Sequence, residues 1–311
     1  MDSDATSPST ETTTSSSSTD ARTPSSSEHV EPTTPSSSSA SPFSEHRCAT
    51  VAAVRHLYGP GSEGMSDGHV WRFYVGSGAG TVEAGVAFLR QHEVWRRALP
   101  ANLGPAAFPN FSPRLWRFGG TTLSGNVVLI ATSRLFVPNE VPTLEEFTCY
   151  VAWHMDLAVS RLADADRGKL SLLVDLRGLG LRNMSIDAVK HPCLTLLRHY
   201  PERLGTCYLI GAPFVFRAFW TLLEKLLDDR TRGKVVLLPG DSAAVAAALD
   251  GIIPPERLER QFGGSADEYP PIYAVAAAAA GGAGGAGEST PPTPTRRGLA
   301  VCGCGGAAGG R

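Results

Sequence analysis

Three glycines carry the first chemistry the sequence suggests. They lie in VWRFYVGSGAGTVEAGVAFL, Val70 to Leu89. An apolar run, a glycine cluster and a helix-forming run follow one another there, the order in which a phosphate-cradling turn is built. Glycines let backbone amides approach an anion at a helix N-terminus, so Gly76, Gly78 and Gly80 could hold a nucleotide. The fingerprint is incomplete: Thr81 stands where the third glycine belongs. About twenty residues on, where a ribose-binding acid would sit, HEVWRRALPANLG reads as helix and loop. A plain connection rich in glycine is the simpler reading.

Other reactive groups do not assemble a reaction. The chain has no G-x-S-x-G elbow, no H-E-x-x-H and no Walker lysine. The histidines are dispersed, and His154 and His199 read as surface or half-buried helix residues. Asp228 and Asp229 read as closing a helix, the end where acids are unfavourable. Four of the six cysteines, Cys48, Cys149, Cys193 and Cys207, sit singly in apolar segments, as buried thiols do. Cys302-Gly-Cys304 is one short pair with no second pair to complete a zinc site. No catalytic residue, metal or cofactor is expected.

The elements that would position any site lie between two biased ends. Residues 1–46 are Ser, Thr, Pro and acids with almost no large apolar side chain, and cannot offset their ordering entropy. Residues 274–311 are mostly Ala, Gly and Pro and read as a flexible tail. The middle is long enough for a sizeable core. A helical lobe is expected over 47–114, including a helix from Val82 to Leu99 stopped by Pro100. From 115 to 273, short apolar runs (NVVLIATS, KLSLLVDL, CYLIGAP, KVVLLPG) alternate with helical segments. That pattern predicts an α/β fold with a mostly parallel sheet flanked by helices. One of the helices opens on Thr143, with Glu146 completing a capping box. A net charge of −2 gives no electrostatic case for nucleic acid. The N-terminus lacks the basic and apolar regions of a secretion signal, and no apolar run is long enough to span a membrane. The reading is a cytosolic protein.

Phe214 to Leu227 is apolar around most of its circumference. Such a helix is either deeply buried or lies between an apolar cavity and a membrane. Around it, HYPERLGTCYLIGAPFVFRAFWTLLEKLLDDRTRGKVVLL resembles the signature of the CRAL-TRIO family of lipid-binding domains. LLVDLRGLGLRNMS upstream and IPPERLERQFGGS downstream resemble neighbouring blocks of the same family, in the same order, over roughly residues 115–270. Arg72-Phe73 and Trp95-Arg96 resemble the two ends of a motif in the helical lobe that precedes the family's lipid domain. On that resemblance the glycine cluster is a degenerate turn between helices.

The resemblance implies an apolar lipid pocket over the sheet, gated by the helix carrying Phe214, Phe216, Phe219, Trp220 and Leu223. It implies that Glu202, Thr231 and Lys234 read the headgroup: Lys234 meets a phosphate, Thr231 donates a hydroxyl hydrogen bond, and Glu202 holds Lys234 or an inositol hydroxyl. Leu170 and Leu172 stand where hydroxyl-bearing residues read phosphocholine in the family. The expected protein is a monomeric phosphatidylinositol-like transfer protein, touching membranes transiently and binding no nucleic acid. The alternatives are a carrier of another hydrophobic ligand, a lipid-bound scaffold that does not transfer, and an enzyme using the Gly76–Gly80 loop.

Overall fold

The computed structural model describes residues 42–101, 103–140 and 143–274. Most of both expected tails, with Cys302 and Cys304, lies outside the described residues. The first helix, α1 (Pro42–Tyr58), begins inside the segment assigned to the N-terminal tail. It packs with α2 (Asp67–Gly76) and α3 (Val82–Ala98) around Val51, Val54, Val70 and Val86.

Val70–Val75, which looks strand-like when read with the glycines, is helical in α2. The hydroxyl of Ser66 caps the helix by accepting from the His69 amide, and Val70 and Phe73, three apart, face the core together. The glycines then make the turn to α3. Gly78 and Gly80 adopt left-handed φ values of 71° and 66°, and Thr81 caps α3. Gly76 packs so closely on Pro201 that a Cβ would lie 2.5 Å from it. The cluster joins helices and seats them on the next domain.

The sheet runs β1 (Trp116–Thr121), β2 (Val127–Thr132), β3 (Leu170–Asp175), β4 (Leu204–Ile210), β5 (Val235–Leu238), in that spatial order. Only β1–β2 is antiparallel. Between successive parallel strands lie α4 (Leu144–Val159), α5 (Ile186–His199), and α6 (Phe214–Leu223) with the single-turn α7 (Asp229–Arg232). Parallel strands laid down in sequence order, with crossovers of one hand, put all these helices on one face. The opposite face is covered by α8 (Ser242–Leu249) and the C-terminal segment through Phe262. Burial follows the two-residue period: Val127 and Leu129 meet α4, while Val128 and Ile130 meet α8.

A buried ion pair fastens the C-terminal segment to the sheet. Arg117 Nε and Nη2 donate to the two carboxylate oxygens of Glu259 at 3.1 and 3.0 Å. Both residues are 1% exposed. Arg117 also donates to the Thr132 hydroxyl, and Glu259 accepts from the Tyr269 amide.

Three readings of single residues change. His154 is fully buried in α4, its Nδ1–H donating to the Tyr150 carbonyl at 2.8 Å, because the helix turns it against the tyrosine and Trp116. Cys48 is exposed, since α1 presents it away from the valine cluster. Asp228 does not close a helix. It opens α7, where its carboxylate accepts from the Thr231 amide at 2.8 Å, and Asp229 follows in the first turn, the end where acids are favourable.

Candidate functional site

Between the sheet and its crossover helices lies a cavity of about 620 Å3. Its floor includes Leu170, Leu172 and Leu209 of the central strands, and its walls include Met155 of α4 and Leu196 of α5. Such a volume falls in the range of small-molecule sites, and its lining is overwhelmingly apolar. Cys193 and Cys207 also line it. Burial pushes their thiols up to about 11 and about 12, so both stay protonated and unreactive.

The fourth wall is α6. Phe216, Phe219, Trp220 and Leu223 sit at i, i+3, i+4 and i+7, one helical stripe, and all four line the cavity. The helix is shorter than the Phe214–Leu227 run suggests. From Glu224 the chain tightens into a 3-10 turn, and Leu227 is extended. Phe214, assigned to the pocket from the sequence, is not among the lining residues. It opens the helix on the far side and is 83% exposed, with Leu222 two turns on at 53%. The helix therefore has two apolar faces, one against the cavity and one uncovered.

One end of the cavity is polar. Glu202, Asp228, Thr231 and Lys234 all line it, so the structure brings the three sequence-nominated headgroup residues together and adds a fourth. Glu202 lies in the turn between α5 and β4, with φ of 57°, the sole left-handed residue other than glycine among the described residues. That conformation costs on the order of 1 kcal/mol or more and clusters at functional sites. Its carboxylate is held 3.0 Å from Arg230, not by Lys234.

Thr231 differs from its expected role. Its hydroxyl already donates to Asp228 at 2.9 Å, so it can offer a ligand only its lone pairs. Asp228 itself is desolvated, which raises its pKa, but the hydrogen bonds from Thr231 and from the backbone of Asp228 and Arg230 together outweigh this and hold the carboxyl low. Lys234 stands at the start of β5. Its ammonium makes no hydrogen bond or ion pair with any described residue. Burial lowers its pKa and the charge of Glu202 pulls it back up. The arrangement can bind one anionic group at Lys234, with two carboxylates beside it to accept from hydroxyls.

Asp228 was visible in the sequence as an acid in an odd place. What hid its role was the assumption of one continuous helix from Phe214. Arg230, the partner of Glu202, gave no signal, since nothing in the spacing pairs it with a residue in the preceding turn.

Residues 118–264 match the CRAL/TRIO domain family. The chain is 34% identical over 98 residues to "Protein real-time" of Aedes aegypti, covering 30% of this chain and 15% of the relative. To "Phosphatidylinositol transfer protein CSR1" of Eremothecium gossypii it is 32% identical over 99 residues, 32% of this chain and 21% of the relative. To "SEC14 cytosolic factor" of the same organism it is 30% identical over 140 residues, 44% and 43% of the two. The chain thus spans less than half the length of these relatives. Among solved structures it is similar to that of Sfh5, with a TM-score of 0.53 and 16% identity over 74% of this chain and 88% of the other, which supports the shared fold. Among the described residues no helix is long and apolar enough to cross a membrane.

Proposed function

We propose, for a chain that carries a CRAL/TRIO lipid-binding domain at residues 118–264, that its ligand is a phospholipid with an anionic, hydroxyl-rich headgroup of the inositol kind. The observation that carries this reading is Lys234, an ammonium with no ion-pair partner among the described residues, at the polar end of an apolar cavity. A lipid phosphate would meet that charge, while Glu202 and Asp228 accept from ring hydroxyls. Phosphocholine would bring a cation and no hydroxyls, and would find Leu170 and Leu172 where it needs donors. One similar protein is named a phosphatidylinositol transfer protein, which agrees with the reading.

Transfer follows from the solvent properties of the cavity. Each buried methylene is worth about 0.8 kcal/mol relative to water. A cavity as apolar as a bilayer makes exchange between the two nearly neutral, while escape to water stays unfavourable. In this reading α6 is the gate, its cavity face sealing the lipid and its outer face, Phe214 and Leu222, entering the membrane during exchange. The protein would work as a monomer, touching membranes without spanning them.

The test is competition between labelled phosphatidylinositol and phosphatidylcholine for the purified protein. Preference for phosphatidylinositol, lost in Lys234→Ala, is the expected result. Equal uptake of both, unchanged in the variant, would overturn the headgroup assignment.

A further inference from the structure

A second cluster of ligating groups lies outside the cavity, in the helical lobe. His69 of α2 meets His92 and Glu93 of α3, and one nitrogen of each imidazole and one oxygen of the carboxylate all lie within 4.8 Å of one another. Nothing in the sequence points to it, because His69 belongs to a different helix and the adjacent pair His92-Glu93 forms no metal motif. We infer that His69, His92 and Glu93 form a binding site for a divalent transition ion of the zinc class, cross-linking α2 to α3.

Three observations support the site. The chemistry of the donors is the first: two imidazoles and a carboxylate suit Zn2+ and leave a fourth position for water. The second is an orphaned atom. His92 is buried, yet its Nδ1, like that of neighbouring His199, has no hydrogen-bond partner among the described residues. A buried polar atom without a partner is disfavoured, and a ligand is one way it is satisfied. The third is the setting. Phe73 packs on both imidazoles, with ring centroids 4.9 Å from His69 and 4.7 Å from His92, and the Trp95 ring lies 5.7 Å from His92. These rings limit water and fix the orientation of the imidazoles, while Arg72, Arg96 and Arg203 act on them from nearby, so an ion would bind against that positive charge.

Glu93 is half-buried and only loosely engaged, its carboxylate 3.9 Å from Arg97. Tetrahedral coordination at about 2.0–2.2 Å per bond places donor atoms roughly 3.4 Å apart. From a span of up to 4.8 Å, the donor atoms would have to close by at most about 1.4 Å.

His92 also lies 5.6 Å from the ring of His199, at the end of α5, which stacks on Trp95 at 3.9 Å. The next residues, Tyr200 and Pro201, lead to Glu202. An ion at the cluster would therefore stiffen the helical lobe where it abuts the turn that carries the headgroup carboxylate.

The experiment titrates chelator-treated full-length protein with ZnCl2 by calorimetry and with Co2+ by absorption. One equivalent is expected to bind, to raise the melting temperature, and to give a cobalt spectrum without a thiolate band. His69→Gln and Glu93→Gln should each weaken binding at least about tenfold, as expected when an interaction at a metal site is lost. Both sit on partly exposed positions, and their melting in metal-free buffer shows whether they fold; if one does not, the other decides. A Cys302→Ser/Cys304→Ser variant should bind as the parent does. Absence of saturable binding, binding unchanged in both His69→Gln and Glu93→Gln, or binding lost with the two cysteines would each overturn the assignment.

Discussion

Glu202 pairs with Arg230 at 3.0 Å, and in the same cavity Lys234 makes no ion pair with any described residue. The division matters because the two cations then do different work. Arg230 is well exposed, so its bond to Glu202 is worth at most about 1 kcal/mol, and it serves to aim the carboxylate. On the proposed reading Lys234 keeps its charge for a ligand. Lys234→Ala is expected to weaken phosphatidylinositol binding by about 1.5–3 kcal/mol, the range for a charged hydrogen bond, and to weaken phosphatidylcholine binding less. Arg230→Ala should weaken it by less than about 1 kcal/mol. Competition assays on both variants check the ranking, and a larger loss for Arg230→Ala would reverse the assignment.

The two apolar faces of α6 can be separated by mutation. Phe214 is 83% exposed, so Phe214→Asp should change stability by no more than about 0.5 kcal/mol. If the outer face enters the membrane, it should nevertheless slow transfer between vesicles about tenfold or more, since the change forfeits the roughly 1.5–3 kcal/mol gained on burying a phenylalanine. Phe219→Asp puts a charge on the cavity stripe and should lower both transfer and lipid uptake. Transfer rates with Phe214→Asp equal to those of the parent protein would remove the outer face from the mechanism.

The parallel part of the sheet was legible because each of its strands is a short, continuous apolar run bounded by turn residues. β1 was not. Its sequence WRFGGT contains two glycines, which normally break a strand, and both have local reasons. At Gly119 a Cβ would lie 2.8 Å from Val128, so only glycine lets β1 approach β2 there. At Gly120 φ is 76°, inside a register shift between Phe118 and Thr121. Of the site, Glu202, Thr231 and Lys234 could be nominated only through the family resemblance, since none is unusual for its local sequence. The roles of Asp228 and Arg230 depend on where the helix after Phe214 ends, and boundaries are the part of a sequence reading that tertiary packing most readily overrides. The metal cluster is a contact between helices, which no local pattern encodes.

His154 gives the protein a pH dependence with a definite sign. Desolvation lowers its pKa to about 4, against the opposing bond to the Tyr150 carbonyl. In the unfolded chain the value returns to about 6.5. Above pH 7 the ring is neutral in both states and contributes nothing. Between pH 6.5 and 4 the unfolded chain binds a proton that the folded protein does not, so stability falls as the pH falls. By pH 5 the loss from this residue amounts to about 2 kcal/mol. Denaturant titrations at pH 7 and pH 5 on the parent protein and on His154→Gln measure it. The loss on acidification should be smaller by that amount in the variant, and other buried histidines, present in both proteins, cancel in the difference. Equal losses would mean that His154 is solvated and free to titrate.

Arg117 and Glu259 supply the last expectation, because they join the first strand to the last covering segment. Taking two charges out of water is costly, and their mutual attraction offsets that only while both are present. Glu259→Ala should therefore destabilise the fold by up to about 3–5 kcal/mol, since it leaves the buried Arg117 guanidinium with only the more distant, partly exposed Glu268 carboxylate at 3.7 Å and strips the Tyr269 amide of its acceptor. Replacing both with apolar residues of similar size, Arg117→Met with Glu259→Leu, removes the unpaired charge and should recover much of the loss. Urea denaturation of the two variants distinguishes the possibilities. A double variant no more stable than Glu259→Ala would mean that the segment is held by the bonds Glu259 makes to Tyr269 and its neighbours, and that the charge on Arg117 finds other compensation.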